Sequence, residues 1–246
     1  MFVKDIVIDR EGLACSDSYV KDLPFIQYLQ DDRIPLTSPV TFFVGENGSG
    51  KSTLLEAVAV SAGLNPEGGS KNFRFSTRAS HSELHRYLRL SRPAGKKWRD
   101  SYFLRAESFF NVATNIEELD EGPTFNDWDI IDIYGGKSLH EQSHGESFFA
   151  LMKNRFMSSG LYILDEPEAA LSPARQIAML HLMRDLAEQG SQFIISTHSP
   201  ILTAYPGAQI YEFRENGLTE TAWERTDNYI LMKRFLASPG FFLDRK

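Results

Sequence analysis

A single cysteine, Cys15, leaves this 246-residue chain without a partner for an internal disulfide. No base or second thiol flanks it, so an inert thiol is expected. No apolar run approaches the ~18–20 residues of a membrane-spanning helix. The opening residues MFVKDIVIDR alternate like a strand and lack the basic and apolar regions of a secretion signal. These absences point to a cytoplasmic chain that could meet a membrane only through a partner. Positive charge is also in deficit, with a net charge of −7, which excludes a protein that coats nucleic acid with its whole surface. Internal repeats, heptads and biased tracts are missing too. What remains is an ordinary globular composition, 42% hydrophobic and 24% charged. One domain over residues 1–246 is expected, with a core lobe at about 1–70 and 159–246 and an inserted middle lobe at about 71–158.

Residues 2–9 alternate as a half-buried strand does, and residues 40–44 form a short β-rich run that ends on Gly45. From Ser52 to Ala62, Leu54, Leu55, Val58 and Ala59 recur at helical spacing, with Gly63 as the stop. Further helices are expected over 82–90, 112–119 and 146–157, and strands over 102–105 and 161–164. Ser172 as N-cap, Pro173 at the first position and Gly190 past the end frame another helix. A buried strand at 192–197, a hairpin about Asn216-Gly217 and a closing helix at 229–236 complete the pattern. Alternating strands and helices imply an α/β core with a mainly parallel sheet flanked by helices.

The segment Gly45-Glu46-Asn47-Gly48-Ser49-Gly50-Lys51-Ser52, followed by Thr53, fits the phosphate-loop pattern G-x-x-x-x-G-K-[ST] and lies between a strand and a helix. Its glycines let backbone N–H groups turn toward phosphate oxygens, and the following helix adds the positive end of its dipole. Lys51 suits the β- and γ-phosphates of ATP, and the Ser52 hydroxyl suits Mg2+. Downstream, an apolar strand delivers Asp165 and Glu166, the first placed for the Mg2+ shell and the second for a general base on the attacking water. His198 ends the next strand, 32 residues after Glu166, where a γ-phosphate contact is expected.

Taken together, these motifs resemble the ABC ATPase superfamily in order and spacing. The resemblance covers nearly the whole chain and implies a P-loop core with a small helical lobe carrying a signature loop. Ser143-His144-Gly145-Glu146-Ser147 lies 22 residues before Asp165, with His144 where the family usually keeps glycine and Glu146 where it usually keeps glutamine. In the family this loop reaches the γ-phosphate held by a second subunit, so Ser143 and Gly145 are carried over and an ATP-sandwiched, head-to-tail homodimer is implied. Residues 169–172 resemble the segment that touches the dimer partner. Glu107 lies where the family has a glutamine near the metal, either as its substitute or as a structural acid. The wording around Lys51 is similar to stand-alone ATPases akin to SMC and RecF-type proteins. The expected function is ATP hydrolysis coupled to movement of a partner, with nucleic-acid maintenance as one setting. The alternatives are a transporter's ATP-binding subunit and an ATP-gated interaction module.

The charge is unevenly spread. The segment 71–105, from Lys71 to Arg105, holds ten Lys/Arg against Glu83 and Asp100, and 106–136 holds eight Asp/Glu and no Lys/Arg. Either the basic segment contacts nucleic acid phosphates or the two segments neutralise each other. His81 and His85, four apart, lack a third metal ligand and read as a solvated face. Phe235, Phe241 and Phe242 read as helix packing.

Overall fold

The computed structural model describes residues 1–69, 82–105 and 144–243. Its main sheet has six strands in the order β5-β6-β7-β3-β8-β9: β3 (Val40–Gly45), β5 (Asp100–Arg105), β6 (Gly160–Asp165), β7 (Gln192–Ser196), β8 (Gln209–Arg214) and β9 (Gly217–Thr221). All neighbours run parallel except β9, which returns antiparallel along β8. Every residue of β6 and β7 is buried, as expected of strands covered on both faces.

Alternation within the strands divides the core in two. Phe43, Leu161, Ile163 and Ile194 face a cluster with Leu54, Leu55 and Val58 of α3 (Lys51–Ser61). Phe42, Tyr162, Leu164 and Ile195 face the other, with Phe148 and Leu151 of α4 (His144–Arg155) and Met179 and Met183 of α5 (Pro173–Glu188). This is a mixed α/β fold whose mainly parallel sheet is flanked by helices.

A smaller antiparallel sheet, β2-β1-β4, joins β1 (Asp5–Ile8), β2 (Arg33–Pro35) and β4 (Leu88–Ser91). Short helices α1 (Arg10–Ala14) and α2 (Pro24–Gln27) lie between β1 and β2. The buried Gln192 amide fixes the chain start: its Oε1 accepts from Phe2 N and Val3 N, and its Nε2 donates to Val3 O.

The helix expected over 82–90 does not form. Residues Glu83–Tyr87 make a 3-10 turn, and Leu88 and Leu90 pair with Ile8 and Ile6 across β4 and β1. The buried Leu84 and Leu88 mimic a helical period, but β1 gains its second neighbour only if Leu88 onward is extended. Both β4 and β5 thus join sheets from within the segment 71–158. The expected helix over 112–119 and the whole acidic segment 106–136 lie outside the described residues. The Ser172 cap holds, accepting from Arg175 N, with Pro173 next and Gly190 at φ 89°. The chain closes with α6 (Asp227–Ala237), capped by Thr226, and α7 (Pro239–Leu243).

Candidate nucleotide-binding site

The loop between β3 and α3 leaves the centre of the sheet at the C-terminal end of β3, the edge at which parallel α/β sheets form ligand crevices. Gly50 precedes α3 at φ 102°, and a Cβ there would stand 2.7 Å from the Phe25 ring. Gly48, at φ 79°, has nothing within 4 Å of that position, so the tip of the loop is open. Lys51 Nζ donates to the carbonyls of Gly45 at 2.9 Å and Glu46 at 2.8 Å. Burial pushes the Lys51 ammonium below the usual lysine range, opposed by the nearby carboxylates of Glu166, Asp165, Glu168 and Glu46.

β3 and β6 are separated by β7, yet Ser52 at the start of α3 reaches Asp165 at the end of β6, its Oγ donating to Asp165 Oδ1 at 3.0 Å. Ser196 Oγ, at the end of the intervening β7, donates to the same oxygen. Burial raises the Asp165 carboxyl above its ordinary value, while the Ser196 hydroxyl, Arg105 and the Ser52 hydroxyl work in the opposite direction. The neighbouring Glu166 is only half-buried, and its Oε1 lies 3.2 Å from His198 Nε2. Glu166 sits in the left-handed region at φ 50°, a conformation that costs a non-glycine residue about 1–3 kcal/mol and tends to persist at functional sites. Its backbone N–H, donating to Ser196 O at 3.1 Å, helps hold it there.

Two adjacent carboxylates therefore have different environments, one buried with two hydroxyls donating to its Oδ1, the other open and set against an imidazole. The donor set at Ser52 and Asp165 is all oxygen, which fits a hard divalent cation such as Mg2+. Among the described residues no group of three or more His, Cys, Asp or Glu forms a metal cluster. His85 is spent on Ser82 O, and His81 lies outside the described residues.

Residues 147–204 match a family described as "AAA domain, putative AbiEii toxin, Type IV TA system", and residues 24–125 match one described as "AAA domain". The first span contains Asp165, Glu166 and His198, the second the phosphate loop. The cobalt import ATP-binding protein CbiO of Salmonella paratyphi A is 28% identical over 226 residues, covering 82% of this chain and 78% of that protein. These likenesses support an ABC-type P-loop ATPase domain. An inward-facing putative metal-chelate type ABC transporter shares the fold at TM-score 0.52 and 15% identity, covering 94% of this chain and 88% of that one. So does cbiO1 from Clostridium perfringens at TM-score 0.50 and 15% identity, covering 98% of each chain.

Within this domain, Lys51, Ser52, Asp165, Glu166 and His198 converge at the ends of β3, β6 and β7. Gly145 takes another place, at the start of α4, where a Cβ would stand 2.6 Å from Ala170 O and where its own carbonyl accepts from Arg175 at 2.9 Å. Ser143 and Glu107 lie outside the described residues. Several residues escaped the sequence reading. Glu56 is one helical turn beyond Ser52, and its Oε2 accepts from Arg105 at 3.0 Å. Glu168, whose carboxyl burial raises above the usual range, accepts from His198 N. The repeated acid in Glu166-Pro167-Glu168 and the i, i+4 spacing of Ser52 and Glu56 were the available signals. A cavity of about 730 Å3 opens beside Glu46, Asn47 and Gly48, bounded by Pro24, Phe213 and Arg214.

Proposed function

We propose that this domain binds and hydrolyses Mg-ATP, working as a head-to-tail homodimer whose turnover moves a partner. The single observation that carries the reading is the Ser52–Asp165 hydrogen bond, which joins the phosphate loop to a strand end two strands away with Glu166 and His198 beside it. The loop from Gly45 through Ser52, with Thr53 behind it, cradles the phosphates, and the Lys51 ammonium binds their charge. Buried with only partial compensation, that ammonium gains from an incoming polyphosphate. Ser52 and Asp165 would hold Mg2+, which supplies the positive charge that reconciles the phosphates with the carboxylates around them. Glu166 accepts the proton of the attacking water, and His198 steadies Glu166 and meets the γ-phosphate. The cavity bounded by Pro24, Phe213 and Arg214 takes the nucleoside side of ATP.

Ser143 and Gly145 complete the site of a second copy in this reading. Glu107 is kept as the further metal-side acid. The single-domain division, with its core lobe and inserted middle lobe, belongs to the same proposal. A second reading, the ATP-binding subunit of a membrane transporter, is favoured by the likeness to CbiO. Among the described residues no helix is long and apolar enough to cross a membrane, so that role requires a membrane partner. In the basic segment, Arg86 pairs with Glu83 and Arg92 stacks on Trp98, while Lys96, Lys97 and Arg99 are exposed and left for nucleic acid phosphates.

Light scattering and ATPase assays across protein concentration test the assembly. Activity per chain should rise with concentration, and ATP with Glu166→Gln should trap a dimer. A monomer at every concentration with undiminished turnover contradicts the sandwich. Titrating DNA and RNA at two salt concentrations, with Lys96, Lys97 and Arg99 changed to Glu as the control, separates the nucleic-acid setting from a membrane partner that co-purifies. Turnover absent despite nucleotide binding would leave the ATP-gated interaction module.

A further inference from the structure

Arg105 is the last residue of β5 and stands directly opposite Asp165 in the β5–β6 register. Its guanidinium links two carboxylates: Nη1 to Glu56 Oε2 at 3.0 Å and Nε to Asp165 Oδ2 at 3.4 Å. Glu56 is itself buried, and its second oxygen accepts from Ser82 N at 2.8 Å. α3 thus presents two residues one turn apart to two strand ends. Ser52 bonds Asp165 Oδ1, and Glu56 holds the arginine that sits on Asp165 Oδ2. Both oxygens of Asp165 are engaged, one by hydroxyls and one by a permanent cation.

We propose that Arg105 is a positioning residue for the metal site, a resident cation that holds Asp165 in the nucleotide-free domain and sets how tightly a divalent ion can be taken up. The inference rests on the reading of Asp165 as a metal-side carboxylate. Two charges of like sign near one carboxylate repel, so Arg105 lowers divalent-ion affinity, and Glu56 limits that effect by drawing the guanidinium toward α3. Without the ion, the same guanidinium compensates Asp165 and Glu56, both taken out of water. Glu56 and Arg105 therefore act in opposite directions on the ion, which an ordinary structural ion pair does not do.

Mn2+ binding to the protein saturated with a non-hydrolysable ATP analogue, followed by electron paramagnetic resonance, tests this together with the melting temperature of the nucleotide-free protein. Arg105→Met should bind Mn2+ about tenfold tighter and melt lower without nucleotide, whereas Arg105→Lys should stay near wild type in affinity. Glu56→Gln, which releases the guanidinium to Asp165, should bind Mn2+ several-fold more weakly. Unchanged or weaker Mn2+ binding by folded Arg105→Met overturns the inference. If that variant does not fold, tighter or unchanged binding by Glu56→Gln overturns it instead. Asp165→Asn separates the two levels: unchanged Mn2+ affinity there defeats the metal-site reading itself. Weaker binding by Asp165→Asn with no change in Arg105→Met defeats only the role of Arg105.

Discussion

The strand ends that carry the candidate site and the helix pair that closes the chain are both rich in large apolar residues, and the fold treats them in opposite ways. β6 and β7 bury every residue, and their last side chains, Asp165 and Ser196, hydrogen-bond each other, Asp165 also accepting from Ser52 of α3. α6 and α7 bury none. Phe241 is 79% exposed and Leu236 68%, and the rings of Phe235, Phe241 and Phe242 meet chiefly one another. An apolar residue stabilises a fold only when a second element closes over it. The Thr226 cap, the Asp227 N–H donating to Glu212 and the Tyr229 ring against Trp223 tie down only the first turn of α6.

Four substitutions sharpen the contrast. Phe193→Ala, in β7 against Tyr162, removes a side chain that is 1% exposed and should cost about 3–5 kcal/mol in a denaturant titration. A loss below about 1 kcal/mol would show that the sheet centre is not the packed unit described. Gly145→Ala places a methyl against the Ala170 carbonyl and should cost about 1–3 kcal/mol, read as a lower melting temperature. An unchanged melt would mean that α4 is free to shift. Glu168→Gln acts through pH. Because burial raises the Glu168 carboxyl, the folded chain holds its proton in a range where the unfolded chain has lost it, and stability falls as pH rises above about 4.5. The amide removes that titration, so the melting temperature of the variant should rise relative to wild type as pH increases above this point. A gap that does not change with pH contradicts the sign. The smallest effect belongs to Phe241→Ser, within about 0.5 kcal/mol, and a larger loss would mean that α7 is covered after all.

The sequence was legible where a residue's type and spacing carry the constraint. Gly45 through Ser52, Asp165, Glu166 and His198 are such residues, and so is the Ser172-Pro173 helix start. It misled where one spacing suits two structures. Leu84 and Leu88 recur at helical distance, but β1 recruits Leu88 as its neighbour. It was silent where partners come from distant chain segments. Nothing local ties Arg105 to Glu56, 49 positions back, or Glu168 to the backbone of His198. The aromatic end was read as packing because periodicity reports an apolar face without reporting what covers it. Ser143, Glu107 and the acidic segment 106–136 lie outside the described residues.

The central claim is that Asp165 and Glu166, adjacent in sequence, divide metal holding from water activation. It is tested most directly by measuring Mg-ATP binding and single-turnover hydrolysis for Glu166→Gln beside Lys51→Ala. Glu166→Gln should bind Mg-ATP as wild type does and lose about 10²-fold or more in the hydrolysis rate, whereas Lys51→Ala should fail at binding. Hydrolysis at the wild-type rate by Glu166→Gln would contradict the account.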